Sequence, residues 1–383
     1  MKKQLLTLCL LPLSIVAFAQ TTVLIPDDAF EAYMETAYAA NISPDGSTTD
    51  GSITFIDIDL IEDIDFPSEG ITTVADLTGV KDFPKLKNLY CNNNAITGTI
   101  DVSGLDRLTN LYFYENTGVT GVDVTGCTKL YHVKGYGCAI TEIDFSNATL
   151  NAASDPTRLR YVYVNDNLLT SINVSGNTGI FRLDVYNNSL TSLDISDLTG
   201  LTYLRFQNND ITGDIDVSAN LGLEKLGTYN NDNLSSIDLG AIPYTSFSYF
   251  KTSSSDNLNC IYADNPSDFE QGGALETAIG GNYSVDAHTN FVIDSDACEL
   301  LSRVDVTGVN MSMYPNPTSG VINIVLNEKA SYELVNLNGQ LILDGNLVNG
   351  SNSVNISKIS KGVYFINIKT NTGQFLTKKL IKN

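Results

Sequence analysis

The feature that most constrains this 383-residue chain is a repeat running through its middle. Leu86-x-x-Leu89-x-Cys91-x-x-Asn94-x-Ile96 returns as Leu108, Leu111, Phe113 and Asn116, then as Leu130, Val133, Gly135, Cys138 and Ile140. Further copies are Leu159, Val162, Val164, Asn167, Leu169; Ile180, Leu183, Val185, Asn188, Leu190; Leu201, Leu204, Phe206, Asn209, Ile211; and Leu223, Leu226, Thr228, Asn231. A degraded copy follows at Phe247 and Phe250. The starting positions advance by 22, 22, 29, 21, 21 and 22 residues, the long step reflecting an insertion near Asn151 to Pro156. Such a period means stacked turns, because one turn cannot bury its apolar side alone. Each copy contains a short strand, so the stack predicts one parallel sheet on the concave side of a solenoid. The recurring Asn falls where the chain turns inward, and its amide can both donate to and accept from the backbone of neighbouring turns.

The spacing resembles the leucine-rich repeat, at the short end of its period range. Cys138 takes the Asn place once, Cys91 sits in the third leucine slot, and Cys127 aligns with Asn177 in the returning half. All three read as packing residues, since no basic surroundings would lower their pKa. The returning half alternates with period two, as in Ile100-Asp101-Val102 and Val122-Asp123-Val124, which predicts extended convex segments rather than helices. Its acids form a ladder of Asp101, Asp123, Asp144, Asp194, Asp216 and Asp238. Calcium could bridge such a column, but an Asp capping its own turn is the simpler reading.

A solenoid exposes apolar ends, so both ends need caps. Ile25 to Ala40, with Pro26, Phe30, Tyr33, Met34, Ala37 and Tyr38, predicts one amphipathic helix. Asp45-Gly46 and Asp50-Gly51 read as turns, and Ile53 to Phe66 as one strand with an acidic face; its spacings do not fit an EF-hand. The start Ile25-Pro26-Asp27-x-x-Phe30-Glu31 resembles the N-terminal caps of secreted, internalin-like Bacteroidetes leucine-rich-repeat proteins. The run Leu258-Asn259-Cys260-Ile261-Tyr262-Ala263-Asp264 through Cys298 resembles their C-terminal cap. That resemblance implies a Cys260–Cys298 disulfide, in keeping with an exported chain.

The two ends of the sequence read as addresses. Met1 to Ala19 has Lys2 and Lys3, the apolar run Leu5 to Val16 and the small-x-small site Ala17-Phe18-Ala19, a secretory signal peptide too short to anchor in a bilayer. No other stretch has the length of a transmembrane helix. The chain carries −22 overall, but its last segment, from Asn310, carries +4. With that segment and the signal lysines set aside, residues 20–309 carry −28, and the change of sign marks a domain boundary. The last segment opens with Tyr314-Pro315-Asn316-Pro317-Thr318-Ser319-Gly320. Alternating stretches follow over Val321 to Leu326, Ser331 to Leu337, Gln340 to Leu343, Ser353 to Ile356, Val363 to Ile368 and Phe375 to Ile381. Asn338-Gly339 and Asp344-Gly345 fall where tight turns are wanted, which predicts a small β-sandwich. Pro315, Asn316, Pro317 and Gly320, then Gly339, then Gly362 and Tyr364, then Lys378, Lys379 and Lys382 resemble the type A C-terminal sorting domain of the Bacteroidetes type IX secretion system. The resemblance implies a partner in that machinery, passage across the outer membrane, and a product released or held at the cell surface.

The expected fold is therefore mainly β: a leucine-rich-repeat solenoid with a parallel concave sheet and capped ends, then a small sandwich. The divisions are signal 1–19, cap 20–85, repeats 86–258, cap 259–300, linker 301–310 and sorting domain 311–383. Residues between the concave leucines point to solvent. They include Tyr90, Tyr112, Tyr114, Tyr136, Tyr161, Tyr163, Tyr186, Tyr203, Tyr229 and Tyr249, ten of the chain's 19 tyrosines. His132, Lys134, Arg182, Asp184, Arg205 and Lys251 share these slots, and Asn88, Asn92, Asn110, Asn165 and Gln207 fill others. Tyrosine gives wide contact area and a hydroxyl at low entropic cost, and Arg182 with Arg205 could anchor a carboxylate or sulfate. The expectation is a non-enzymatic recognition or adhesion protein for a protein or glycan ligand. A structural matrix component and a secreted hydrolase using paired acids are the alternatives. Two histidines, no Gly-x-Ser-x-Gly and no His-Glu-x-x-His disfavour catalysis, and the acidity excludes nucleic acid as a main partner.

Overall fold

The computed structural model describes residues 20–43, 50–146, 148, 159–302, 311–371 and 375–383. The signal peptide, the Asp45-Gly46 turn, the insertion near Asn151 to Pro156 and most of the 301–310 linker lie outside the described residues. The chain divides into two compact units, one ending at Asp294 and one beginning at Ser295.

The first unit is the solenoid. Ten parallel strands form its concave sheet, from Asp63–Asp65 and Asn88–Tyr90 through Tyr161–Tyr163 and Arg182–Asp184 to Tyr249–Lys251 and Tyr283–Ser284. Most are three residues long, with the middle residue pointing in and its two neighbours out. Leu89, Leu111, Val133, Val162, Leu183, Leu204 and Leu226 are the inward residues, and all are fully buried. Gly135 stands in a leucine slot because the ring of Phe113, one turn earlier, fills the space a Cβ would need.

The asparagine ladder bonds as its position requires. Asn209 Nδ2 donates to Phe206 O in its own turn (2.8 Å) and to Val185 O in the turn before (3.0 Å), while its Oδ1 accepts from Leu190 N (2.9 Å). Asn116, Asn167, Asn188 and Asn231 repeat the arrangement. Cys138 in the same place offers only a thiol, 3.5 Å from Phe113 O. Just before each ladder residue the backbone takes positive φ, at Asn93, Glu115, Asp166, Asn187, Asn208 and Asn230. Asn and Asp tolerate that conformation better than most residues.

The convex side is extended, as its alternation predicts. Thr97–Asp101 pairs with Gly118–Asp123, Glu142–Asp144 with Ser171–Asn173, and four strands from Gly213–Asp216 to Asn290–Val292 make a third patch.

The N-terminal cap departs from expectation in two places. Its helix covers Asp28–Ala37 rather than Ile25 to Ala40, followed by a tighter turn over Ala39–Asn41. Asp27 sets the start: one carboxylate oxygen accepts from Ala29 N and Phe30 N, and the other from Ala75 N and Asp76 N of the first turn. The single strand expected over Ile53 to Phe66 is broken. Ser52–Phe55 pairs antiparallel with Thr21–Leu24, whereas Asp63–Asp65 starts the parallel sheet. Between them Asp57 accepts from Asp59 N (3.1 Å) and opens a turn over Ile58–Leu60.

The second unit holds two antiparallel sheets over one core. Met311–Tyr314, Val321–Leu326 and Gly350–Asn355 form one sheet. Leu341–Leu347, Ala330–Asn336, Gly362–Thr370 and Phe375–Lys382 form the other. Ile322, Ile324, Leu334, Ile366, Ile368 and Leu380 are buried between them. Asn338-Gly339 makes the expected turn, with Gly339 at φ +76°. Asp344-Gly345 does not: it lies inside Leu341–Leu347, opposite Tyr332, where a Cβ would come within 2.8 Å of the tyrosine ring. That glycine makes room for an aromatic neighbour instead of a turn.

Candidate ligand-binding face

The parallel register brings the concave residues into columns. One column runs Asn88, Asn110, His132, Tyr161, Arg182, Tyr203, Lys225 and Tyr249; a second runs Tyr90, Tyr112, Lys134, Tyr163, Asp184, Arg205, Gly227 and Lys251. Just past each strand, Tyr114, Tyr136, Tyr186 and Tyr229 follow at the equivalent position. All ten tyrosines expected on this face are half-buried.

These rings pack on one another along the solenoid. Tyr114 and Tyr136 stack 4.5 Å apart at 12°, and Tyr90 lies 4.8 Å from Tyr112. Tyr112 and His132 are joined by a hydrogen bond of 2.8 Å between the hydroxyl and Nδ1, and His132 also lies against Tyr161 and Tyr163. Burial, with help from Lys134, pushes the His132 pKa down to about 4, so the ring is neutral at pH 7. Burial likewise pushes the Tyr112 hydroxyl up to about 12 and raises Tyr90, Tyr136, Tyr163, Tyr186 and Tyr249. These six hydroxyls stay protonated throughout the physiological range.

Cations interleave with the rings: Lys134 over Tyr112 at 4.4 Å, Arg182 over Tyr163 at 4.8 Å, Arg205 over Tyr186 at 4.8 Å and Lys225 over Tyr203 at 4.9 Å. Arg182 and Arg205 already share a carboxylate. Asp184 is fully buried between them, with Arg182 Nε at 2.9 Å and Arg205 Nε and Nη2 at 2.7 and 2.6 Å. The acid that the two arginines could have taken from a ligand is thus supplied by the chain.

Sequence reasoning missed Lys225, Tyr131, Arg160 and Phe181. Lys225 stands 22 residues after Tyr203 and was readable from the period alone. Tyr131 and Phe181 precede their strands, outside the alternation, yet pack against Tyr161 at 5.6 and 5.8 Å.

Across the solenoid the ladder acids each cap their own turn, and Asp101 also pairs with Lys81 at 2.8 Å. Asp101, Asp123, Asp144, Asp194, Asp216 and Asp238 accept from the backbone N–H two residues on, at 2.8–3.0 Å. Hydrogen bonds from Ser146 and Ser196 hold the Asp144 and Asp194 carboxyls below the usual range. An open cleft of about 690 Å³ at the later turns gathers Asp210, Asp232, Asp256 and Asp286 among asparagines. Among the described residues no three His, Cys, Asp or Glu side chains converge as a metal site.

Cys260 and Cys298 are disulfide-bonded, the pairing implied by the cap resemblance, while Cys91, Cys127 and Cys138 are free thiols. Burial raises the Cys91 pKa and pushes Cys127 and Cys138 up to about 12 and about 11, which leaves them unreactive.

In the second unit the two ends of the expected sorting motif meet. Asn316 Nδ2 donates to Lys379 O (2.8 Å), its Oδ1 accepts from Ile381 N (2.8 Å), and Thr318 N donates to Ile381 O (2.9 Å). Tyr364 donates its hydroxyl hydrogen to Ser360 O (2.9 Å), close to Gly362. Pro315, Pro317, Gly339, Gly362, Lys378 and Lys379 are exposed, Gly320 is half-buried, and Lys382 is buried with its amine on Asn383 O (3.0 Å).

Fold and site together define a capped leucine-rich-repeat solenoid followed by an export domain. Residues 312–383 match the family described as the secretion system C-terminal sorting domain. The chain therefore carries a type IX sorting domain, which marks it for export to the cell surface and implies contact with that secretion machinery. No helix among the described residues is long and apolar enough to cross a membrane. Solved structures similar to this chain include internalin F of Listeria monocytogenes, at 17% identity over 70% of this chain and 95% of that one, with a TM-score of 0.37. The functional domain of internalin J from the same bacterium, which includes a cysteine ladder, is 15% identical over 95% and 99%, with a TM-score of 0.26. A Listeria internalin-like protein is 16% identical over 94% and 96%, with a TM-score of 0.31. No curated protein matches the chain.

Proposed function

We propose that this chain is a non-enzymatic recognition or adhesion protein, delivered by its sorting domain, that holds a protein or glycan on the concave face. One observation carries the reading: ten tyrosines and their interleaved cations form a half-exposed surface on one side of a parallel sheet. Rings fixed by their neighbours lose little entropy when a partner docks. A non-enzymatic role is supported by acids tied into their own turns, a neutral His132 and thiols with raised pKa.

The test is a mixed array of glycans and surface proteins probed with the exported chain, with and without calcium. A specific hit that Tyr112→Ser, Tyr163→Ser and Tyr186→Ser together weaken at least tenfold is expected, since aromatic anchors dominate such interfaces. Unchanged binding by the triple variant defeats the proposal. Silence on the array with concentration-dependent self-association would favour the matrix-component reading.

A further inference from the structure

We propose that the later half of the concave face docks a carboxylate-rich protein segment. This rests on the concave face being the binding surface, and goes further in naming the partner's chemistry.

The argument starts from charge. From the strand His132–Lys134 to the strand Tyr249–Lys251, the outward strand positions carry Lys134, Arg182, Arg205, Lys225 and Lys251 against one carboxylate, Asp184. Asp184 is fully buried under the two guanidinium groups and neutralises only one of them. Residues 20–309 otherwise carry a large negative excess, so this stripe reverses the sign of the body that bears it. Lys134, Lys225 and Lys251 rest on tyrosine rings at 4.4, 4.9 and 5.4 Å. Among the described residues none of these three amines has a carboxylate within ion-pair reach. A ring face attracts an ammonium but leaves its charge uncancelled.

Distance strengthens the stripe. Strands lie about 4.8 Å apart, so six successive rungs hold these cations within about 24 Å. At physiological salt the screening length is about 8 Å, so the convex acids are largely hidden from a ligand at the concave surface. The exposed Glu224 stands just before Lys225; Asp166, at the edge, is engaged by Asn187 and Asn165, and Asp210, Asp232, Asp256 and Asp286 line a separate cleft past the ends of the later strands.

The rings decide between a glycan and a protein. Sugars pack on open aromatic faces, and here a neighbour already covers a face of several rings. Tyr114 and Tyr136 cover each other, and Tyr112, Tyr163, Tyr186 and Tyr203 carry cations. The tyrosine hydroxyls and lysine ammonium groups beside them form a donor set matched to the carboxylates and backbone carbonyls of a protein.

The experiment uses the full exported chain, with poly-L-glutamate and polygalacturonate as the probes, by calorimetry at low and physiological salt. The expected result is poly-L-glutamate binding that weakens with salt, is tighter than polygalacturonate binding, and falls at least tenfold in the K134Q/K225Q/K251Q variant. The off-stripe pair K81Q/K87Q, whose lysines engage Asp101 and Glu62, should bind as the parent does. Thermal melting checks that both variants remain folded. No poly-L-glutamate binding, an unaffected stripe variant, or polygalacturonate binding as tight or tighter would each overturn the proposal. An array ligand lost on the tyrosine substitutions but indifferent to the lysine variant would overturn this inference while leaving the recognition reading standing.

Discussion

The concave and convex faces of the solenoid repeat with one period but satisfy their polar groups over different distances. On the convex side each Asp accepts from a backbone N–H two residues on, within its own turn. On the concave side Asp184 holds an arginine 21 residues away, and Tyr112 meets a histidine 20 residues away. A local bond needs only its own turn, whereas a bond between rungs needs the stack in register. The convex acids are therefore chiefly caps of their own turns, although Asp101 also pairs with Lys81 of the turn before, and the concave face is a coupled surface whose shape is set before any ligand arrives.

Substitutions of one residue type on the two faces should break or sharpen that contrast. Asp184→Ala leaves two guanidinium groups facing each other, and should lower stability by about 3 kcal/mol in urea unfolding. A loss under 1 kcal/mol would show that the concave charges are not coupled.

His132 gives the next effect. Its folded pKa, about 4, lies below the ordinary 6.5, so the unfolded chain binds the extra proton first as pH falls. The associated stability is complete above about pH 6.5 and is lost as pH falls toward 4. The shift sets a ceiling near 3 kcal/mol, and partial exposure of the ring reduces it to roughly 1–2 kcal/mol. Comparing parent and His132→Gln unfolding between pH 7 and pH 4 checks it, because the variant should lack that component.

Smallest are the convex acids: Asp194→Ala or Asp216→Ala should each cost about 0.5 kcal/mol, and chelating calcium should leave the melting temperature unchanged. A large calcium-dependent shift would mean that the ladder acids act together after all.

Much of this was legible in the sequence, for physical reasons. The period sets which residues share a rung, and alternation sets which point inward, so the tyrosine columns followed directly. The Asn ladder and the convex caps followed too, because each bond lies within one turn or between adjacent turns. Continuous alternation hid the break between Phe55 and Asp63, since a period of two says which face a residue takes but not which sheet it joins. Asp344-Gly345 reads as a turn until Tyr332 is placed opposite it. Asp184 shares a slot with Arg205, so their adjacency was implied, but its complete burial depends on how both arginines fold over it.

The central claim is that recognition belongs to the concave face, and footprinting tests it most directly. Hydroxyl-radical labelling of the exported chain, alone and bound to its array-identified partner, would be read residue by residue. The account predicts protection of Tyr112, Tyr163, Tyr186 and Tyr203, with the convex Val122, Glu142 and Ile172, which reach solvent, labelled equally in both states. Protection of the convex residues, with the concave tyrosines unchanged, would contradict it.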